Sequence, residues 1–370
     1  MWCLSKKGLE AGNLVIGNSV YSLGFVGSVG ASLRTLAGGE VTQVTDIIRE
    51  GRMASFERML AWSDLHGAVG ITGITSELAI MGSNVEFLSV GSCVHRPGFF
   101  APNLEWSTSS DGQELYCQLD SGFTPKHFVF GNVAYSVGIG GGLAGTFRSL
   151  GRGEVKEFSE IFNHTRHLAI ERIQEDATKF GANCVVGINT SIMKFGGLQE
   201  MVMIGTAAHN PCYGPEYDSV PATSDLTNEE AWNLANLGYA PIRLVLGVSV
   251  YSLGFIGGIT AAFKSFVRGE INEMTTLIYE ARENALSHIA ADAAQCGADD
   301  VVGIKTYVYG LGNGIIEFVA IGTAVKKMPG IGTTLDYLPP QAVMRDKDTF
   351  INAAERSLGR DLNKTTVDGK

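Results

Sequence analysis

Three copies of one sequence pattern occupy most of this chain. The copies align almost without gaps from Val15, Val129 and Val245, so successive copies are offset by 114 and then 116 residues. A constant offset at several positions is the signature of a repeated structural unit rather than of biased composition. The landmarks that recur in every copy are Tyr21, Tyr135 and Tyr251, then Glu40, Glu154 and Glu270, and then Gly73, Gly187 and Gly303. The chain is therefore predicted to fold as three tandem modules.

Each copy predicts the same order of elements. An extended run rich in Val, Tyr and Ser, at 244–253 in the third copy, is typical of a buried strand. A glycine-rich turn, a short helix at 260–267 and a Gly-Glu break follow, and then a long helix with an apolar stripe. Two strands close the unit, joined in the third copy by Gly312-Asn313-Gly314, a tight-hairpin signal. The predicted fold class is α/β (α+β), with three β-α-β-β modules, each placing a short and a long helix on a small antiparallel sheet.

The connectors between the copies also repeat. The predicted division of the chain is module 1 at residues 1–97, a connector at 98–125, module 2 at 126–210, a second connector at 211–241, module 3 at 242–328 and a C-terminal tail at 329–370. Ser110-x-x-Gln113 and Thr227-x-x-Glu230 are capping-box patterns, so each connector is expected to hold a short helix. The tail matches no copy, and its segment 350–358 has the pattern of a short amphipathic helix.

Composition excludes several classes of partner. The chain has 370 residues and a formal net charge of −10 at pH 7. Nucleic acids and anionic membranes both need clustered Lys and Arg, so neither is an expected partner. No apolar run approaches the length of a membrane span. The six cysteines are scattered without a C-x-x-C pair, which is typical of reduced thiols in the cytoplasm.

Motifs in the third copy carry a resemblance to a known family. The stretch ARENALSHIAADAAQCGADDVVGI from Ala281 and the closing strand ending VAIGTAVKK resemble the bacterial YbjQ-like family, which carries the label of a heavy-metal-binding domain. The signature G-A-D-x-V-V-G-I begins at Gly297 and G-T-A-V begins at Gly322. Module 2 is close, with GANCVVGI, whereas module 1 has GAVGITGI and lacks the Asp. The resemblance implies a β-α-β-β module with an antiparallel sheet, assembled as a five-membered ring through subunit contacts, and it implies no reaction.

The sharpest metal-site candidate lies on the long helix of module 2. Glu160, His164, His167 and Glu171 stand at i, i+4, i+7 and i+11 on one helix face. Two imidazoles one turn apart could chelate zinc, nickel or copper. The other copies carry mostly acidic residues at these positions, which is typical of a solvent-exposed face. We therefore expect no cofactor and no stoichiometric transition metal, and heavy-metal binding or sequestration is kept as the alternative function.

A glycine pattern in module 2 formally matches a dinucleotide-binding fingerprint. The pattern is Gly140-x-Gly142-x-x-Gly145, after a strand and before a helix. The other copies break the pattern, and no crossover to a parallel strand follows. We interpret these glycines, together with Gly254 and Gly257 in module 3, as positions where a helix packs closely on a neighbouring backbone.

Two sets of recurring acidic residues have structural interpretations. The first set is Glu40, Glu154 and Glu270, and the second is Glu86, Glu200 and Glu317. The first set precedes the long helix, so it is expected to cap that helix or to interact with its N-terminal dipole. The second lies early in the closing strand, where a cross-strand or inter-subunit ion pair is expected. No Ser-His-Asp or Cys-His arrangement recurs, so an enzyme with a site between modules ranks last.

The sequence as a whole predicts a non-catalytic, self-assembling structural or scaffold protein. Its expected partner is itself, in a large homo-oligomer with five-membered rings. Two arrangements are open: about five chains forming three stacked rings, or about twenty chains forming a closed shell. We favour the shell, because near-gapless repeats suit similar rather than distinct places in an assembly.

Overall fold

A computed structural model describes residues 2–22, 39–82, 84–136, 153–195, 198–252, 272–312 and 315–338. In chain order the elements are α1 (Trp2–Lys6), β1 (Glu10–Ser22), β2 (Gly39–Glu40), α2 (Thr42–Leu65), β3 (Gly70–Met81), β4 (Asn84–His95), β5 (Trp106–Ser107), α3 (Gly112–Asp120), β6 (Thr124–Ser136), β7 (Gly153–Glu154), α4 (Lys156–Thr178), β8 (Cys184–Phe195), β9 (Leu198–His209), a 3-10 turn (Pro215–Asp218), β10 (Ala222–Thr223), α5 (Asn228–Asn236), β11 (Tyr239–Ser252), α6 (Asn272–Gln295), β12 (Asp300–Gly312) and β13 (Ile315–Lys327). The prediction of three repeated α+β modules is confirmed.

Each module is built on three antiparallel strands that carry the long helix. The strand order is first, closing, middle, which is β1-β4-β3 in module 1, β6-β9-β8 in module 2 and β11-β13-β12 in module 3. The register keeps the copies equivalent, because Tyr21 lies opposite Val85 and Tyr135 lies opposite Gln199. The repeated sequence therefore places equivalent side chains at equivalent points of each sheet.

The long helix packs its apolar stripe on the first strand of its own module. In α4 the predicted stripe is confirmed, and its buried members are Phe158, Phe162, Thr165, Ala169, Ile173 and Ala177. The helix lies so close to the sheet that a Cβ atom on Gly131 of β6 would stand 2.1 Å from the carbonyl oxygen of Ala169. Gly17 and Gly247 recur at the same place in modules 1 and 3. A strand position without a side chain is thus a requirement of this packing.

Short strands from outside each module extend its sheet. β2 of module 1 pairs antiparallel with β6 of module 2, and β7 of module 2 pairs antiparallel with β11 of module 3. The connector strands β5 and β10 pair in parallel with β3 and β8, so the sheets are mixed rather than purely antiparallel. The Gly-Glu segments before α2 and α4 are therefore added edges of the next module's sheet.

Both connectors contain a helix with a capping box, but one box differs from the prediction. In α5, Thr227 and Glu230 form the predicted box. In α3 the N-cap is Asp111, whose side chain accepts hydrogen bonds from the backbone N–H groups of Gln113 and Glu114. The Ser110-x-x-Gln113 prediction was thus wrong by one residue. Aspartate is as good an N-cap as serine, and the Asp111/Glu114 pair satisfies both free backbone donors.

Several predicted features lie outside the described residues. They are the short helix at 260–267, Glu270, the glycines Gly140, Gly142, Gly145, Gly254 and Gly257, and the amphipathic segment at 350–358. Among the helices that the structure does describe, none is long and apolar enough to cross a membrane.

Candidate functional site

The four residues of the predicted metal set share one helix but differ in environment. Glu160, His164 and Glu171 are exposed on α4, whereas His167 is partly buried against module 3. The Nδ1 atom of His167 lies 2.7 Å from the carbonyl oxygen of Asn163. Its Nε2 atom lies 3.8 Å from a carboxylate oxygen of Asp292 on α6. One imidazole of the pair is therefore occupied by one contact within its own helix and one contact across a module boundary.

The contacts of His167 compete with metal binding by its imidazole. Burial disfavours its charged form, but the nearby Asp292 carboxylate and the hydrogen bond to the carbonyl of Asn163 outweigh burial and raise the pKa of His167. A metal binds the neutral imidazole, so a raised pKa weakens binding near neutrality. Within the described ranges, no group of three or more His, Cys, Asp or Glu residues could hold a metal ion. The set of Glu160, His164, His167 and Glu171 stays a prediction.

The cysteines are placed as apolar core residues. All six are free, and Cys3, Cys93, Cys117 and Cys184 are buried. Burial raises the pKa of Cys117 to about 12, with the nearby Glu229 acting in the same direction. The thiolate is the form that attacks substrates and binds metals. A thiol held protonated at neutral pH is suited to packing rather than to chemistry.

Consecutive modules contact each other through extensive surfaces that combine backbone and side-chain hydrogen bonds. The preceding module supplies what we call its helix face, formed by its Gly-Glu strand, long helix and middle strand. The following module supplies its strand face, the outer side of its first and closing strands. The Val41 backbone N–H donates to the Ala134 carbonyl over 2.8 Å, and the Ala134 N–H donates to the Thr45 hydroxyl over 2.9 Å. The first strand of module 2 is thereby bonded on both edges.

The contact between modules 2 and 3 repeats this geometry. The Val155 N–H donates to the Val250 carbonyl over 2.8 Å, and the Val250 N–H donates to the Ser159 hydroxyl over 2.9 Å. Val155, Ser159 and Val250 are the sequence equivalents of Val41, Thr45 and Ala134. The chain therefore builds the same contact twice.

A buried ion pair lies at the centre of each contact. Arg52 on α2 reaches Glu200 on β9 at 2.8 Å, and Arg166 on α4 reaches Glu317 on β13 at 2.6 Å. In the second pair both side chains are 0% exposed. Burial disfavours the charge on Arg166, but the Glu317 carboxylate outweighs burial and raises the pKa of Arg166. Glu200 and Glu317 thus form ion pairs as predicted, but the partner is a helix arginine of the neighbouring module rather than a cross-strand or inter-subunit residue.

The recurring glutamate before the long helix does not act as a helix cap. The N-cap residues of α2 and α4 are Val41 and Val155, and neither makes a side-chain capping bond. Glu40 instead accepts a hydrogen bond from the Thr45 hydroxyl at 2.9 Å and pairs with Arg172 of module 2 at 2.7 Å. The capping expectation was therefore wrong. Glu40 thus pairs with a cation of the next module, whereas Glu154 accepts a 3.3 Å hydrogen bond from the Asn284 amide of the next module.

Aromatic packing completes the contact between modules 1 and 2. Phe128 and Phe130 of β6 join a core cluster with Phe56, Met59 and Ile74 of module 1. Burial of such side chains stabilises the pair of modules by about 1.5–3 kcal/mol for each large apolar residue. The modules therefore share a hydrophobic core as well as hydrogen bonds.

A histidine makes this shared core sensitive to acid. His127 stacks on Phe180 at 3.9 Å between ring centroids and packs edge-on against Phe56 of module 1. Burial lowers its pKa from the ordinary value of 6.5 to about 4, although the charge of Asp176 opposes this shift. The unfolded chain thus binds the proton more tightly than the folded chain does. The stability contributed by neutral His127 is present above pH 6.5 and is lost as the pH falls towards 4.

We expect the wild-type melting temperature to fall between pH 7 and pH 5 by more than that of His127→Phe. The phenyl ring keeps the stacking and cannot take up a proton. Thermal unfolding followed by circular dichroism at both pH values measures the difference. Equal falls for the two proteins would contradict a role for His127.

A cleft of about 380 Å³ lies where the middle strands of all three modules approach one another. Thr75, Asn189 and Lys305, which are sequence equivalents, all line it. Lys305 lies 3.3 Å from Asp225, whose carboxylate also accepts a 2.6 Å hydrogen bond from Thr323. Burial raises the pKa of Asp225, and the bonds to Thr323 and Lys305 oppose this rise. The residues that line the cleft include no histidine or cysteine, so it holds no nucleophile–imidazole pair.

Comparison with known families agrees with the repeat. The model of the YbjQ family, described as "Putative heavy-metal-binding", matches residues 6–95, 124–210 and 238–328, which is well over half of the chain. The chain belongs to the YbjQ family. Each match of this family model covers one module, so the family unit and the sequence repeat are the same structural unit.

Among relatives of this YbjQ family member are proteins of different lengths. An encapsulin nanocompartment protein of Mycobacterium tuberculosis is 34% identical over 201 residues, covering 52% of this chain and 74% of that protein. A UPF0145 protein of Pseudothermotoga lettingae is 42% identical over 85 residues, covering 23% of this chain and 80% of that protein. A UPF0145 protein of Shewanella frigidimarina is 40% identical over 88 residues, covering 24% of this chain and 82% of that protein. The UPF0145 relatives thus match about one module.

The sequence interpretation missed the arginine of the ion pair, although a signal for it was present. Arg52, Arg166 and Arg282 recur with the same offsets of 114 and 116 residues as the landmark tyrosines. A recurring buried cation on a helix and a recurring anion on a strand are natural partners. The pairing of the two sets is not evident from one module, because the residues meet between modules rather than within one.

Proposed function

We propose that this protein is a non-catalytic structural protein that assembles with copies of itself into a large homo-oligomer. The observation that supports the proposal most strongly is the repeated contact between modules, with its edge strand, buried ion pair and shared core. Edge-strand pairing, a buried ion pair and a shared apolar core are features of protein–protein contacts rather than of catalytic sites. The name of the Mycobacterium tuberculosis relative, an encapsulin nanocompartment protein, points in the same direction. We place the protein in the cytoplasm, because all six of its cysteines are free thiols.

The expected assembly is a closed particle. The stack of about five chains and the shell of about twenty chains both satisfy closed symmetry. An acidic surface, with a net charge of −10 for each chain, would keep such a particle in solution. Metal sequestration is the weaker alternative, because the contacts of His167 compete with metal binding.

The mass of the tag-free protein in solution, measured by light scattering over a dilution series, tests the proposal. About five chains would support the stack and about twenty the shell. A stable single chain at all concentrations would contradict assembly altogether. Elemental analysis of the same sample is expected to find less than one equivalent of transition metal. One or more equivalents, lost in His164→Ala/His167→Ala, would instead establish the metal-binding function.

A further inference from the structure

The strand face of module 1 is open where its equivalents are closed. Val20 of β1 is 53% exposed, whereas its equivalent Ala134 is 0% exposed under the helix face of module 1. Leu14 is 63% exposed, whereas its equivalent Phe128 is 2% exposed. β1 is also an edge strand, because its sheet runs β1-β4-β3-β5. Within the described ranges, no segment covers the strand face of module 1.

The helix face of module 3 is open in the complementary way. Ile304 and Val308 of β12 are 46% and 49% exposed, whereas Ile188, the equivalent of Ile304, is 3% exposed beneath module 3. Arg282 on α6 is exposed, although its equivalent Arg166 is fully buried on Glu317. Module 3 thus exposes a helix face, which is the kind of surface that covers the strand faces of modules 2 and 3 and, over the described ranges, is missing from the strand face of module 1.

The charges on the two open faces are complementary. Glu86 of module 1 is the equivalent of Glu200 and Glu317, the two glutamates that hold the buried arginines. Among the described residues, the hydrogen bond that Glu86 accepts is an exposed one of 3.3 Å from the Asn18 amide in its own module. Arg282 is the arginine of the same set, and the described part of the chain gives it no carboxylate. In the residues that the structure describes, Arg282 in module 3 and Glu86 in module 1 therefore lack the ion pair that their equivalents make.

The contact between modules 1 and 2 has a further ion pair, which the contact between modules 2 and 3 does not repeat, because His288 stands at the position equivalent to Arg172. Arg172 of module 2 donates to the carbonyl of Asn132 and pairs with Glu40 of the preceding module. Its equivalent in module 1, Arg58, donates to the carbonyl of Asn18 in the same way.

We infer that the strand face of module 1 binds the helix face of module 3 of a second copy of this chain, with Arg282 of one copy paired to Glu86 of the next. This inference rests on the proposed self-assembly and names the contact that produces it. The contact is head to tail, so each copy uses one face of each kind. A terminal module that makes this contact then has the surroundings that module 2 already has within a single chain.

The contact limits the rings that whole chains can form. Modules 1, 2 and 3 take consecutive places, so a ring closed by this contact alone holds a multiple of three modules. The smallest such ring beyond a single chain has about two chains and six modules. A five-membered ring needs an additional kind of contact between chains.

Charge reversal tests the pairing directly. Arg282→Glu or Glu86→Arg alone places like charges together, and each variant is expected to raise the dissociation constant between chains by roughly 100- to 1,000-fold. The double variant Arg282→Glu/Glu86→Arg restores an opposite pair at every contact and is expected to regain assembly. Lys126→Glu, at an exposed position of module 2, is the charge-matched control and is expected to assemble normally. Circular dichroism checks that each variant is folded.

Light scattering on the wild type, the variants and the control separates the outcomes. A wild type that assembles, together with single variants that also assemble unchanged, would overturn the Arg282–Glu86 contact and leave the proposed function standing. Another segment would then cover the strand face of module 1. Single variants that fail to assemble while the double variant also fails would show that each residue acts by itself, which also contradicts the pairing. A wild type that stays a single chain would overturn the inference and the proposed function together.

Discussion

Arg166→Met is expected to lower the free energy of unfolding by about 3–5 kcal/mol. Methionine keeps much of the side-chain volume but leaves the Glu317 carboxylate 0% exposed and without its cation. A buried charge without a partner is far more costly than the loss of an ion pair at the surface. Urea unfolding at one fixed protein concentration measures the change, since the stability of an assembling protein depends on its concentration.

The exposed ion pair Arg96–Glu105 supplies the matched control. Its side chains are 47% and 41% exposed, so Arg96→Met is expected to cost about 0–1 kcal/mol. Arg166→Met/Glu317→Met removes both buried charges and is expected to recover most of the lost stability. If Arg166→Met costs no more than Arg96→Met, the buried pair does not hold modules 2 and 3 together.

Gly131→Ala is expected to lower the free energy of unfolding by about 3 kcal/mol, at the upper end of ordinary overpacking. The added Cβ atom would lie 2.1 Å from the carbonyl oxygen of Ala169 and 2.7 Å from the backbone nitrogen of Ile173. Both obstacles are helix backbone, so relief requires α4 to move away from β6. The same urea unfolding experiment measures the loss.

Gly310→Ala is the control for this substitution. Gly310 also lies in a strand of the repeat, but a Cβ atom there would meet nothing within 4 Å. We expect Gly310→Ala to stay within about 0.5 kcal/mol of the wild type. A Gly131→Ala variant as stable as this control would show that the close approach of helix and strand is not required.

The elements that depend on local pattern could be predicted from the sequence. The repeat offset, the apolar stripe of α4 and the closing hairpin of β12 and β13 all follow from spacings that one module contains by itself. Burial of the stripe needs only a sheet on one side, and the sheet is part of the same module. Such features are determined by short-range periodicity.

The features that depend on neighbouring modules could not be predicted in the same way. Glu40 has the sequence position of a helix cap, yet Arg172 of module 2 engages it. His167 has the position of a solvent-exposed metal ligand, yet it lies beside Asp292 of module 3. In both cases tertiary contact decides the partner, because the two residues are more than 100 positions apart in the sequence. The repeat shows which residues are equivalent without showing which copies touch.

The most direct measurement mixes two variants, each with one reversed charge. Arg282→Glu and Glu86→Arg each carry a mismatched pair when they meet copies of themselves. In an equal mixture, Arg282 meets Glu86 at one kind of contact and the two reversed residues meet at the other. Light scattering is therefore expected to find single chains in each separate solution and larger particles only in the mixture. Larger particles in the separate solutions, or single chains in the mixture, would contradict a head-to-tail assembly through these two faces.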